Sequence, residues 1–220
     1  MPKMKKSARY DTSSLPEAQF DPGSKCRVLR NKLGIKSKRV MDDAERVALK
    51  TATDKLLGMY DASHRFTAGD IRTMHKIWLG NIYEWAGGYR QVNVSKGDFH
   101  FAASKQVPLL MNAFEKDFLY KYTPCNFKSM ERVIQALAEV HVELVLIHPF
   151  REGNGRVARL LAILMALQAG LPPLDFTGIV SRKKKDYISA VQAGMERDYK
   201  PMEKIFESVI RKTLRAREQQ

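Results

Sequence analysis

At 220 residues, with 44% hydrophobic and 28% charged side chains, the chain is long enough for one sizeable core and has the composition of an ordinary globular protein. Its 38 Lys and Arg against 24 Asp and Glu give a formal charge of +14, of which residues 1–40 supply eleven bases against three acids, a balance that favours polyanionic partners. Only Cys26 and Cys125 occur, far apart, and no apolar run reaches the roughly 20 residues of a membrane span; a disulfide scaffold, a Cys-based zinc site and a membrane partner are therefore excluded, and a cytoplasmic protein is expected, with a specialised secretion route left open.

Residues 1–24 are rich in Pro, Ser, Asp and Lys and are expected to be a basic, loosely ordered lead-in to a single domain over 25–217. SKCRVLRNKLGI (24–35) predicts a short helix closed by Gly34. DDAERVALKTATDKLLGMY (42–60) predicts a longer one with acids in its first turn, where the macrodipole favours them. TAGDIRTMHKIWLGNIYEWAG (67–87) predicts another, capped by Thr67 with Asp70 three residues on, and with Ile71, Met74, Ile77 and Trp78 as its apolar stripe.

The texture then switches. YRQVNVSKGDFHF (89–101) alternates and predicts a β-hairpin turning at Lys96-Gly97-Asp98. Helical texture resumes over 104–120. The strongest helix is expected at 128–147, where Val133, Leu137, Val140, Leu144 and Ile147 step by fours and threes, and its partner at 155–169, with Val157, Leu160, Leu161 and Leu164 inward. Two more helices are expected at 181–196 and 200–217. The fold class is all-α with one small β-hairpin.

Between the two most apolar helices stands HPFREGNGRVAR (148–159). Pro149 disfavours helical geometry at His148, so the buried helix ends there and presents an imidazole at its carboxyl end, where a proton taken from a substrate would be accommodated. Gly153 and Gly155 let successive N–H groups point into one concavity, and the amino end of the next helix adds free donors. Arg156 and Arg159, one turn apart, share a helix face and can hold two successive phosphates. Glu152 is the nearby carboxylate, and one carboxylate plus substrate phosphates is a common way to hold Mg²⁺. Proton acceptor, metal ligand and polyphosphate cradle together point to a nucleotide-transfer site. There is no GxxxxGK[ST], no GxGxxG after a strand and no GxSxG; HVE (141–143) resembles the HxE of zinc deaminases, but no PCxxC follows.

HPFREGNGRVAR resembles the Fic (filamentation induced by cAMP) motif HPFx(D/E)GN(G/K)RxxR at every constrained position, and IYEWAGGYRQVNVSKGDFHFA (82–102) is similar to the segment that leads into and forms that family's flap. The resemblance runs from about residue 26 to about residue 210. It implies a mainly helical Fic-type fold and AMPylation, the transfer of AMP from ATP to a Ser, Thr or Tyr hydroxyl of a protein target with release of pyrophosphate. It implies His148 as base, Phe150 as the loop's anchor in the core, and Glu152 holding Mg²⁺ across the α- and β-phosphates. Gly153, Asn154 and Gly155 would form the anion hole with Asn154 reaching the α-phosphate, Arg156 would meet the β-phosphate and Arg159 the γ-phosphate. Some relatives move phosphate or phosphocholine instead; the intact GNGR favours AMP. The flap, Val92, Asn93, Val94, Ser95, Lys96, Gly97, Phe99 and Phe101, is expected to register an extended target segment through main-chain hydrogen bonds, although a hairpin that only covers the core fits equally. Tyr187 is a candidate contact for adenine.

The family's inhibitory motif, (S/T)xxxE(G/N), has no clean match. Ser13 and Glu17 have the spacing, but Ala18 follows and Pro16 interrupts. That departure implies control by a small antitoxin-like partner. The alternative to an enzyme is a non-catalytic basic module that clamps nucleic acid or an acidic partner, drawing on the basic amino-terminal region and RKKKDY (182–187); under the enzyme reading no nucleic-acid partner is expected.

Overall fold

The computed structural model describes residues 14–177 and 184–219. Among them, helices dominate: α1 (Lys38–Leu57), α2 (Ala68–Leu79), α3 (Val107–Phe114, extended by a π-turn Glu115–Leu119 and one more helical turn Tyr120–Tyr122), α4 (Met130–Ile147), α5 (Asn154–Gln168), α6 (Lys184–Ala193) and α7 (Lys200–Glu218). A two-stranded antiparallel hairpin, β1 (Ser95–Lys96) and β2 (Phe99–His100), lies between α2 and α3, in the register Ser95 to His100 and Lys96 to Phe99.

The centre is the α4–α5 pair. The expected stripes on both helices are buried, from Val133 to Ile147 and from Val157 to Leu164, so burial of apolar surface sets their mutual face. Around the pair, α2 leans on α5, α7 on α4 and α6 on both α4 and α7, while α1 covers α2. One hydrophobic cluster runs through all of them, from Val28 to Ile210. Thr67 caps α2 as read from the sequence: its hydroxyl accepts from the Asp70 N–H at 3.1 Å, and the Asp70 carboxylate accepts from the Thr67 N–H at 2.9 Å.

Four expectations need correction. Residues 24–35 are not helical. The Asn31 carboxamide accepts from the N–H groups of Leu33 and Ile35 and donates to Asp21, which offers the backbone a local alternative to a helix, while Phe20 and Leu29 form an isolated bridge. Residues 14–24, expected to be loose, are packed: Glu17, Asp21 and Ser24 are buried. The first long helix starts at Lys38 rather than Asp42, so Asp42 and Asp43 fall beyond its first turn and the dipole argument does not apply to them. The second ends at Leu79, because Gly80 caps it and residues 81–88 turn back across its end. Of the helix expected over 181–196, Lys184–Ala193 and a 3-10 turn Gly194–Glu196 are described; the start of RKKKDY and residues 1–13 lie outside the described residues.

Candidate active site

The loop begins where α4 stops. His148 adopts a left-handed backbone (φ 53°, ψ 58°), and its N–H still donates to Leu144 O at 3.1 Å, which turns the ring out of the helix axis. Its Nδ1 lies 3.0 Å from the Val145 carbonyl oxygen. A carbonyl only accepts, so Nδ1 carries the proton and Nε2 presents a bare lone pair. Phe101 stacks on the ring at 3.6 Å. Burial, opposed by the Val145 bond and reinforced by Arg90, holds the imidazole well below its usual value, at about 4. The sequence had suggested a cation-friendly helix end; burial outweighs the dipole, and the resting ring is neutral.

The loop is braced from inside. Phe150 is fully buried and stacks on the buried His75 at 3.9 Å, nearly parallel. His75 bridges two segments: its Nδ1 accepts from the Gly87 N–H at 2.8 Å, so Nε2 is the protonated nitrogen and donates to Glu152 O at 3.1 Å. The Asn154 carboxamide is engaged at both ends with Phe150, accepting from its N–H and donating to its carbonyl, each at 2.8 Å. It shapes the loop and leaves a single amide hydrogen for a ligand. Gly153 is required twice over: its φ is +85°, and a Cβ there would lie 2.5 Å from Trp78 Cζ3.

That geometry opens a cavity of about 540 Å³ lined by Val145, His148, Arg151 to Arg156, Arg159, the hairpin residues Val94, Ser95, Lys96, Phe99 and Phe101, and Tyr187, Ile188, Val191 and Gln192 of α6. At its floor, the Asn154 and Gly155 N–H groups have no acceptor among the described residues, which leaves free donors at the helix amino end. The Gly153 N–H is turned to Glu152 Oε1 at 2.8 Å instead. The two arginines differ. Arg156 pairs with Glu45 at 2.7 Å and with Glu152 at 3.3 Å. Arg159 has no acidic partner among the described residues, and its guanidinium lies against the cavity. Among the described residues Glu152 is the only acid lining the cavity, and its side chain is 48% exposed. No cluster of three ligating side chains exists among the described residues, but a Mg²⁺ that takes most of its oxygens from phosphates and water fits one half-exposed carboxylate.

Of the expected flap, Val92 is buried beneath the hairpin, Asn93 accepts from the Ser104 N–H at 2.8 Å, and Gly97 (φ +59°) forms the turn, so these three do not line the cavity. Tyr187 does line it, and its hydroxyl meets His141 Nε2 at 2.8 Å. Sequence reading missed the supports. Arg90 is 1% exposed and its guanidinium donates to four carbonyls, His148 O at 2.6 Å, Val92 O at 2.9 Å, Ile147 O at 3.3 Å and Ala102 O at 2.5 Å. It ties the hairpin stem to the backbone of His148. Glu17 in turn accepts from the Gln91 and Val92 N–H groups at 2.5 and 3.0 Å, and its carbonyl accepts from Arg151 Nε at 2.9 Å. The one glutamate with inhibitory spacing thus braces the hairpin stem and does not reach Arg159.

Known proteins are similar to this chain in sequence and fold. A model described as Fic/DOC family matches residues 65–166. The "Probable protein adenylyltransferase Fic" of Escherichia coli (strain K12) is 29% identical over 190 residues, covering 83% of this chain and 88% of that protein. The "Protein adenylyltransferase Fic" of Nematostella vectensis is 30% identical over 176 residues, 79% of this chain; the chain spans only 39% of that longer relative. Among solved structures, the Bartonella tribocorum effector BepC, crystallised with AMPPNP, superposes with a TM-score of 0.72 at 23% identity, over 90% of this chain and 98% of that one, and shows the shared fold. The amino-terminal Fic domain of a VirB-translocated Bartonella quintana effector gives 0.67 at 25% identity, over 82% and 87%. The matched segment, residues 65–166, carries the loop between the two central helices, the hairpin stem and both arginines, and it is over this shared core that the chain is similar to the Fic/DOC family.

Proposed function

We propose that the chain is a protein adenylyltransferase, transferring AMP from Mg-ATP to a Ser, Thr or Tyr hydroxyl of a protein target. The observation that carries this reading is the bare Nε2 of His148 in a cavity whose floor is an open helix amino end and whose wall includes Arg159, which has no acidic partner among the described residues. In the reaction, His148 Nε2 takes the hydroxyl proton, the hydroxyl oxygen attacks the α-phosphorus, and the bond to the α–β bridging oxygen breaks, so pyrophosphate leaves with the electron pair. The Asn154 and Gly155 N–H groups stabilise charge on the α-phosphate, Arg156 receives the β-phosphate and Arg159 the γ-phosphate. When bound at Glu152, Mg²⁺ supplies charge neutralisation across the phosphates. Tyr187, Ile188 and Val191 offer an apolar wall for adenine.

The hairpin edge is the docking strand for the target in this reading, supported by Ser95, Lys96 and Phe99 beside His148. Because no described acid occupies Arg159, control comes from a separate inhibitory partner. The free thiols of Cys26 and Cys125 suit a reducing, cytoplasmic setting, and no helix among the described residues is long and apolar enough to cross a membrane. Intact-mass analysis after incubation with ATP and Mg²⁺, on the chain and on lysate proteins, is the test. An AMP-sized adduct is expected; a phosphate-sized adduct, or none, contradicts the reading.

A further inference from the structure

Glu45 sits on α1, outside the segment that the family model matches, and is 3% exposed. Both carboxylate oxygens and the backbone carbonyl are used toward the site. Oε2 accepts from Arg156 Nη1 at 2.7 Å, Oε1 accepts from the Tyr83 hydroxyl at 2.7 Å, and its backbone carbonyl accepts from Trp78 Nε1 at 2.9 Å. Trp78 in turn lies under the Arg156 guanidinium, 4.5 Å from ring centroid to Cζ. Arg156 lines the cavity and Glu45 does not.

We propose that Glu45 is a positioning residue, which holds the Arg156 guanidinium from behind in the orientation that grips the β-phosphate. The proposal rests on the reading of Arg156 as a phosphate contact. An arginine has many rotamers, and each must be excluded before its planar fork meets a phosphate with two hydrogens. Glu45 fixes Nη1 and Trp78 fixes the plane of the fork, so Nη2, which meets the half-exposed Glu152 at 3.3 Å, stands on the cavity side already oriented. A carboxylate acting as a competitor for the phosphate would have to stand in the cavity. This one stands behind the arginine, is shut away from solvent, and is kept there by Tyr83 and Trp78.

Calorimetric binding of MgADP and of AMP to the full chain tests this without reference to turnover, because AMP lacks the β-phosphate. Glu45→Gln keeps the size and the acceptor for Tyr83 but removes the charge. It should weaken MgADP about tenfold and leave AMP within about twofold, and in an Arg156→Ala background it should add nothing further. Unchanged or tighter MgADP binding in Glu45→Gln overturns the proposal, the second outcome pointing to a competitor. Equal weakening of both nucleotides overturns it as well, since that is what a general loss of structure would give. If Arg156→Ala itself binds MgADP as wild type does, the phosphate reading fails and the proposal with it; if Arg156→Ala weakens MgADP and Glu45→Gln does not, only the proposal fails. Glu45→Asp, which keeps the charge and withdraws it, is judged by the same criteria should Glu45→Gln not fold.

Discussion

The two walls of the cavity are built in opposite ways. On the loop side, Phe150, His75 and Trp78 are buried, Asn154 is bonded at both ends, and Gly153 is in contact with Trp78. On the hairpin side, two residue pairs make the whole ladder, and Ser95, Lys96 and His100 are exposed. A wall held by many buried contacts opens only with the core, whereas a short exposed ladder yields locally. Under the proposed function, the precise task of holding phosphates beside a neutral imidazole falls to the rigid side, and the adaptable task of meeting a target chain to the compliant side. The walls are joined by the Arg90 guanidinium, by the stack of Phe101 on His148, by the Arg90 N–H on the Pro149 carbonyl and by Glu17, which bridges the hairpin stem to Arg151.

Cutting the first junction should have the largest effect. Arg90→Met removes the donors of four carbonyls at once and should lower stability by roughly 3 kcal/mol or more, read from urea denaturation, with loss of transfer as His148 comes free. If the variant is as stable as wild type, the walls are held by the other junctions. Next comes the rigid wall itself: Gly153→Ala drives a methyl into Trp78 at a positive φ and should cost about 2 kcal/mol, measured the same way.

Acid should act on the rigid wall too. Burial is the first cause holding His75 and His148 at about 4 and His141 at about 3, below the ordinary 6.5 of the unfolded chain. A group with a depressed folded value binds fewer protons when folded, so its contribution is complete above pH 6.5 and is lost as pH falls toward 4. Thermal unfolding should therefore be flat from about pH 7 to 8 and fall steeply from about pH 6 to 4, a fall of order 3 kcal/mol for a ring at about 4. A midpoint unmoved over that window would mean that the rings are not held neutral. The smallest effect belongs to the compliant wall. Phe99→Ala should change stability by less than about 1 kcal/mol and raise KM for the protein target severalfold, with KM for ATP unchanged.

The same contrast explains what could be read from the sequence. The helices at Met130–Ile147 and Asn154–Gln168 and the loop between them were legible because their determinants are local: apolar steps of three and four, a Pro after His148, and motif residues packed into one short stretch. The capping of α2 was legible for the same reason. The supports were not, because each acts across the chain. Arg90 reaches His148 over 58 positions, Glu17 reaches Gln91 over 74, His75 reaches Glu152 over 77 and Glu45 reaches Arg156 over 111. Three of these four contacts end on a backbone atom, which leaves no signature in residue type. Where local signals competed, as at Asn31 and Gly80, the reading of a helix went too far.

The claim on which the rest depends is that a neutral imidazole serves a polyphosphate that is bound independently of it. His148→Ala, assayed side by side for MgADP binding and for label transfer from ATP, tests it directly. The account predicts nucleotide affinity within about twofold of wild type and a loss of transfer of order 10³-fold. Retained transfer, or nucleotide binding lost together with it, would contradict the account.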